Sequence, residues 1–108
     1  MKFGIIIADH ANQDIRENLA YIKNTLCNSK AATELADLIE QEIRSLIQFP
    51  FSGTPVPDQF LAHYGFRFLL IKNYKVYYIA DKDKEIVNII RVLYAGRDYE
   101  TLLKEEIL

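Results

Sequence analysis

The chain has one cysteine, Cys27, and no tryptophan among its 108 residues. A single thiol excludes an internal disulfide and leaves no cysteine cluster for zinc. Nothing approaches the roughly 20 consecutive apolar residues that span a bilayer. The opening run from Phe3 to Ile7 is too short for a secretory h-region, and Asp9 ends it. A cytoplasmic protein without membrane contact is expected. Prolines number only 3, all between positions 50 and 57. An excess of positive charge is also lacking. The formal net charge is −2, so the chain is not a polycation that coats nucleic acid indiscriminately. The carboxylates fall on helix faces or in turns without ligand spacing, and neither a metal site nor a cofactor is expected.

What is present fits an ordinary globular protein. Half of the residues are hydrophobic and 26% are charged, and residues 1–108 suffice for a single domain with a modest core. Acids crowd the first half and the C-terminus, at Asp14, Glu17, Glu34, Asp37, Glu40, Glu42, Glu105 and Glu106. Bases are relatively richer between Arg67 and Arg97.

The apolar, β-branched residues 3–7 predict a short buried strand, with Asp9 as N-cap of a following helix. Ile15, Leu19, Ile22 and Leu26 recur at helical spacing, and Cys27 at that helix's end reads as a packing residue. Asn28-Ser29 breaks and recaps the chain. Leu35, Ile39, Ile43 and Leu46 then form a second stripe, widened by Leu38 and Ile47. Charges on the opposite faces read as solvated, so an antiparallel helix pair without chemistry is expected. Residues 49–57 hold the prolines and Gly53, which predicts an ordered connector and no regular element.

From Phe66 the period becomes that of strands, over residues 66–71, 74–80 and 85–94. A tight turn at Lys72-Asn73 and a charged turn at residues 81–84 join them. Asp98 is placed to cap one or two final helical turns through Tyr99, Leu102 and Leu103. The predicted fold is α+β: a short N-terminal strand, a helix hairpin, and a three-stranded antiparallel meander in one sheet.

If the turns close as read, Arg67, Leu69, Tyr74, Val76, Tyr78, Val87, Ile89, Arg91 and Leu93 share one face. The other carries Phe66, Phe68, Leu70, Lys75, Tyr77, Ile79, Ile86, Asn88, Ile90, Val92 and Tyr94. A one-residue slip would exchange them. Both faces are mainly apolar, and one helix pair covers only one. The second is expected to await a partner, unless the connector and the C-terminal segment fold over it. The cations and phenols of this half suit a surface that grips a polar, negatively charged partner. The plainer alternative is strand-forming tyrosines beside solvated edge charges.

Three motifs resemble the RelE/ParE superfamily, the toxins of bacterial type II toxin–antitoxin systems. The connector carries Phe49, Pro50, Ser52, Gly53, Pro55 and Pro57. The first hairpin carries Gly65, Arg67, Tyr74, Val76 and Tyr78. The last strand carries Arg91, Val92 and Leu93, followed by Arg97 and Asp98. The resemblance implies a toxin held inactive by a cognate antitoxin whose tail covers the sheet.

RelE-like members cut messenger RNA on the ribosome. For that chemistry the resemblance makes Arg67, Lys75, Tyr94 and Arg97 the candidate catalytic residues, with the cations on phosphate and Tyr94 as an acid. A tyrosine, with an ordinary pKa of about 10, is a poor base. Leu69 stands where a second basic residue is expected, and neither His10 nor His63 falls at a motif position. ParE-like members poison DNA gyrase and need no catalytic pair. The long helix hairpin, the proline-rich connector, the Arg97-Asp98 ending and the acidic balance favour this mode. Arg67, Tyr74, Tyr78, Arg91, Arg97 and Asp98 would then bind target or antitoxin. A degenerate toxin that only binds antitoxin is the third possibility.

Overall fold

The computed structural model describes residues 2–107; Leu108, the end of the C-terminal segment offered above as a cover for the second face, lies outside them. Strand β1 (Gly4–Ile7) leads into helix α1 (Asp9–Ala20), which continues through a π-helical turn at Tyr21–Thr25. Helix α2 (Ser29–Ser45) returns, and the connector follows with strand β2 (Thr54–Pro55) and helix α3 (Gln59–Tyr64). Strands β3 (Phe66–Ile71), β4 (Tyr74–Asp81) and β5 (Ile86–Tyr94) precede helix α4 (Tyr99–Ile107).

The fold is α+β, as expected, but the sheet has five strands in the order β1-β5-β4-β3-β2. The meander forms its centre. To it β1 adds in parallel, Gly4 opposite Ile86 and Ile7 opposite Ile89. At the other edge, Thr54 and Pro55 pair with Phe68 and Arg67, so the connector contributes a strand after all. Pro55 is tolerated there because an edge position needs no second ladder bond.

Local signals explain most boundaries. The side chain of Asn28 accepts from the Ala31 N–H at 3.0 Å and starts α2. Asp9 does not cap α1: Ala8 occupies that position without a side-chain bond, and Asp9 is the first helical residue. Its charge still favours the helix N-terminus. Asp58 caps α3 through the Leu61 N–H at 2.9 Å, and Gly65 ends it at φ 109. Asp98 caps α4 as predicted, taking the Thr101 hydroxyl at 2.7 Å. That bond is the main cause holding its carboxyl below the usual range.

Each sheet face has its own core. Leu35, Ile39 and Ile43 of α2 and Leu46 at its C-cap, with Ala11 and Ile22 of the first helical segment, pack on Val76, Tyr78, Val87, Ile89 and Val92. On the other face Val56, Leu61 and Leu103 pack on Phe66, Tyr77 and Leu93. Over Phe66, Tyr77 and Leu93 the second face is therefore covered by the connector, α3 and the C-terminal segment, while Ile6 at its β1 edge stays half-exposed. Asp58 joins these covers: its N–H donates to the Tyr99 hydroxyl at 3.0 Å, and its carboxylate accepts from Lys104.

The predicted faces hold along β3, β4 and early β5, then exchange. Tyr78 pairs with Ile89 and Tyr77 with Arg91, which leaves Ile90 as the extra residue of a β-bulge. Beyond it, Val92 joins the α1/α2 core while Arg91 and Leu93 turn to the α4 side. Two other expectations fail at the π-helical turn. Leu26 is 55% exposed, and Cys27 is exposed instead of packed. A π-helical turn takes an extra residue, as in the Leu26 N–H bond to the Tyr21 carbonyl at 3.1 Å, so the stripe loses its helical register there.

Candidate binding groove and the placement of the basic residues

Three elements meet at Gly53. Its N–H donates to the Tyr78 hydroxyl at 2.9 Å, and its carbonyl accepts from Arg67 Nη1 at 2.8 Å. Arg67 also donates to the Phe51 carbonyl at 3.2 Å and lies 5.6 Å from the centre of the Phe51 ring. A Cβ at position 53 would meet the Tyr78 hydroxyl at 2.5 Å and the Phe68 carbonyl at 2.8 Å, so only glycine fits. Burial raises the pKa of Tyr78, which keeps it a neutral acceptor here. Arg67 and Tyr78 thus fasten the connector to the sheet.

Arg91 is 5% exposed. It holds Asp14 through two bonds, Nε to Oδ2 at 2.7 Å and Nη2 to Oδ1 at 2.9 Å. Asp14 was expected on a solvated helix face, yet it is buried and also accepts the Val92 N–H at 2.9 Å. Glu106 completes the group, 3.3 Å from Arg91 Nη1 and 2.5 Å from His10 Nδ1. The bond to Asp14 is the main cause raising the pKa of Arg91. His63 is exposed in the last turn of α3.

Lys75 projects to the α4 side, where its ammonium sits 4.5 Å from the centre of the Phe68 ring. Tyr74 and Tyr94 are opposite one another in register and contact edge to face, 5.7 Å between ring centres. Arg97 is exposed and forms no ion pair among the described residues. The structure therefore brings Tyr74 and Tyr94 together, with Arg97 three residues on. It does not bring Arg67, Lys75 or Arg91 to them.

Tyr74 and Tyr94 form one wall of a groove of about 590 Å³ between the π-helical turn and the β3–β4 hairpin tip. Ile22, Ala31 and Leu35 supply apolar lining, with Tyr21 and Leu26 from the turn and Asn18, Asn28, Lys72 and Asn73 as polar groups. Burial, with nearby Tyr94 and Tyr21, raises the pKa of Tyr74. Sequence reading missed Tyr21 and Leu26, whereas Lys72 belongs to the cations it placed on a gripping surface. The available signal was Tyr21 beside Ile22, with Leu26 at the end of the same stripe, where two aromatic or apolar groups leave the core together.

This α+β arrangement is that of the RelE/ParE superfamily. Similar solved structures include a chain of the toxin–antitoxin complex RelBE2 from Mycobacterium tuberculosis, 20% identical with a TM-score of 0.62 over 87% of this chain and 99% of that one. The chromosomal ParDE system from P. aeruginosa is 13% identical with a TM-score of 0.69, covering 88% of this chain and 98% of that chain. A mutant of the E. coli toxin RelE in the free state is 13% identical with a TM-score of 0.65, covering 97% and 98%. No curated protein matches the chain. The family model of the ParE toxin of type II toxin–antitoxin systems, parDE, matches residues 5–99. The chain belongs to this ParE toxin family.

Proposed function

We propose that this toxin arrests growth by binding DNA gyrase, without cutting RNA, and that a cognate antitoxin neutralises it. The observation that carries the reading is the dispersal of the residues an RNA-cleaving site would need. Stabilising one phosphorane requires cations within hydrogen-bond reach of the same oxygens. Arg67 is committed to the Phe51 and Gly53 carbonyls, and it pairs with Tyr78 four residues along β4 from Tyr74. That separation is roughly 13 Å of strand. Lys75 lies over Phe68 on the far side of the sheet from Tyr94. The net charge of −2 also suits a protein target better than a ribosomal RNA environment.

Pulse-labelling of DNA and protein synthesis, within minutes of inducing the toxin in antitoxin-free cells, tests this. DNA synthesis is expected to fall first. A prior fall in protein synthesis would establish the RNA-cleaving mode instead. If neither falls, the chain only binds antitoxin.

A further inference from the structure

The sheet has two edge strands, β1 and β2, and only one of them is blunted. At the β2 edge the Val56 N–H donates to the Phe66 carbonyl, toward the sheet, so positions 55 and 57 direct their backbone outward. Both are prolines, which offer an added strand no N–H. The β1 edge has no such device. Gly4 and Ala8 donate to the carbonyls of Glu85 and Ile89 on the β5 side, so Phe3, Ile5 and Ile7 direct their backbone groups away from the sheet. The Ile47 carbonyl takes the Phe3 N–H at 2.9 Å. Among the described residues nothing takes the N–H of Ile5 or Ile7. The strand Gly4-Ile5-Ile6-Ile7 carries no charge, proline or bulge.

We propose that β1 is an interface between two copies of this toxin, paired antiparallel about a two-fold axis at Ile6, so that two sheets join into one. Three features select a second copy as the occupant. The first is length. The Ile47 carbonyl closes the edge at Phe3, so an added strand can lie opposite residues 4–8 and must then leave. β1 itself does so: in this register Gly4 faces Ala8 of the second copy, and Asp9, where the chain turns into α1, faces Phe3.

The second feature is the side chains. Ile6 is set against Ile6 of the second copy as a close pair without direct bonds, while Ile5 exchanges both backbone bonds with Ile7. Ile6 is 51% exposed and borders a groove of about 490 Å³ with Ile79, Ile90 and Ile107. Each copy's Ile6 would extend that apolar lining for the other, the reciprocity a two-fold contact requires. Gly4 leaves space for the facing Ala8, since nothing lies within 4 Å of where a Cβ would stand. The third feature is charge. Lys2 precedes the strand and Asp9 follows it, and the two-fold brings each toward the other. So short a strand buries little area, so the dimer is a weak one, forming at micromolar or higher concentrations.

Sedimentation equilibrium of the free, full-length toxin tests this. The wild type is expected to self-associate, and Ile6→Lys to weaken the association at least about tenfold, with circular dichroism confirming its fold. A wild-type toxin that stays monomeric throughout overturns the proposal, as does unchanged association in Ile6→Lys. A second arm tests the register. In a Cys27→Ser background, Ile6→Cys is expected to form an intermolecular disulfide at least about tenfold faster than Leu70→Cys, because only the former places two thiols across the axis. Leu70 is 63% exposed and lies on β3, away from this edge. Equal rates overturn the two-fold pairing. So does slowed hydrogen exchange at Ile5 and Ile7 that appears only when antitoxin is added, because the edge would then serve that partner. Neither arm reads growth arrest, so failure of the gyrase reading shows separately in the labelling of DNA synthesis.

Discussion

Arg91 and Asp14 meet around the open edge of the sheet. Arg91 stands opposite Tyr77 on strands whose side chains here face α4, whereas Asp14 belongs to a helix packed on the other face. The pair forms where β1 has ended: β1 accompanies β5 only as far as Ile89. Past that point Asp14 replaces the missing strand, taking the Val92 N–H as well as the guanidinium. One carboxylate thus ties α1, β5 and, through Arg91 and Glu106, α4.

Removing Asp14 leaves the buried Arg91 with only the longer 3.3 Å contact to Glu106. Asp14→Asn is expected to destabilise the fold by about 3–5 kcal/mol, and replacing both residues by Leu and Met far less. Urea unfolding of the two variants checks this. A loss below about 1 kcal/mol in Asp14→Asn would show that the pair is dispensable.

Tyr78→Phe deletes the only acceptor shown for the Gly53 N–H. A buried donor without a partner costs about 1–3 kcal/mol, and that loss is expected in thermal unfolding. Gly53→Ala should cost more, because its Cβ would press on both the Tyr78 ring and the Phe68 carbonyl. The reverse order of the two losses would contradict the fastening role.

Alkaline unfolding should report Tyr77. Burial pushes its phenol up to about 12, with Tyr99 stacked 5.5 Å away. The neutral form is favoured in the fold, so its contribution is complete below the ordinary value of about 10. As pH rises from there to about 12, about 2–3 kcal/mol of stability should disappear. Tyr77→Phe is expected to flatten the stability curve in that window; an unchanged curve would assign the loss to other groups.

Lys75→Ala separates the two modes of toxicity. With Lys75 over Phe68 and away from Tyr94, growth arrest is expected to proceed at the wild-type rate. Induction in antitoxin-free cells, followed by viable counts, measures it. A hundredfold loss of killing would restore the phosphate-binding role for this lysine.

Much of the fold was legible because its signals are short-range. Periodicity located β1, both long helices and the meander, while Asn28 and Asp98 marked two caps. Helix α3 was not found: its six residues follow the proline run too closely to show a stripe, although Asp58 and Gly65 bracket it as cap and stop. Of the candidate site, Tyr74, Tyr94 and Arg97 fall at one end of the sheet, but the expected faces set Tyr74 and Tyr94 apart, and only the bulge at Ile90 brings the two rings to one side. The motif positions of Arg67 and Arg91 were equally legible, but not that backbone carbonyls and Asp14 would occupy them.

Local sequence was enough for the order of β1, the helix pair and the meander, for the RelE/ParE-type motifs and for the apolar stripes, since each depends on neighbours within a few residues. The tertiary structure alone decided which face each side chain took after Ile90, because one bulged residue reverses the alternation of everything beyond it. It also decided which cations remained available. A guanidinium has the same charge wherever it stands, and only the fold brought carbonyls to Arg67 and a carboxylate to Arg91 while leaving Arg97 in solvent.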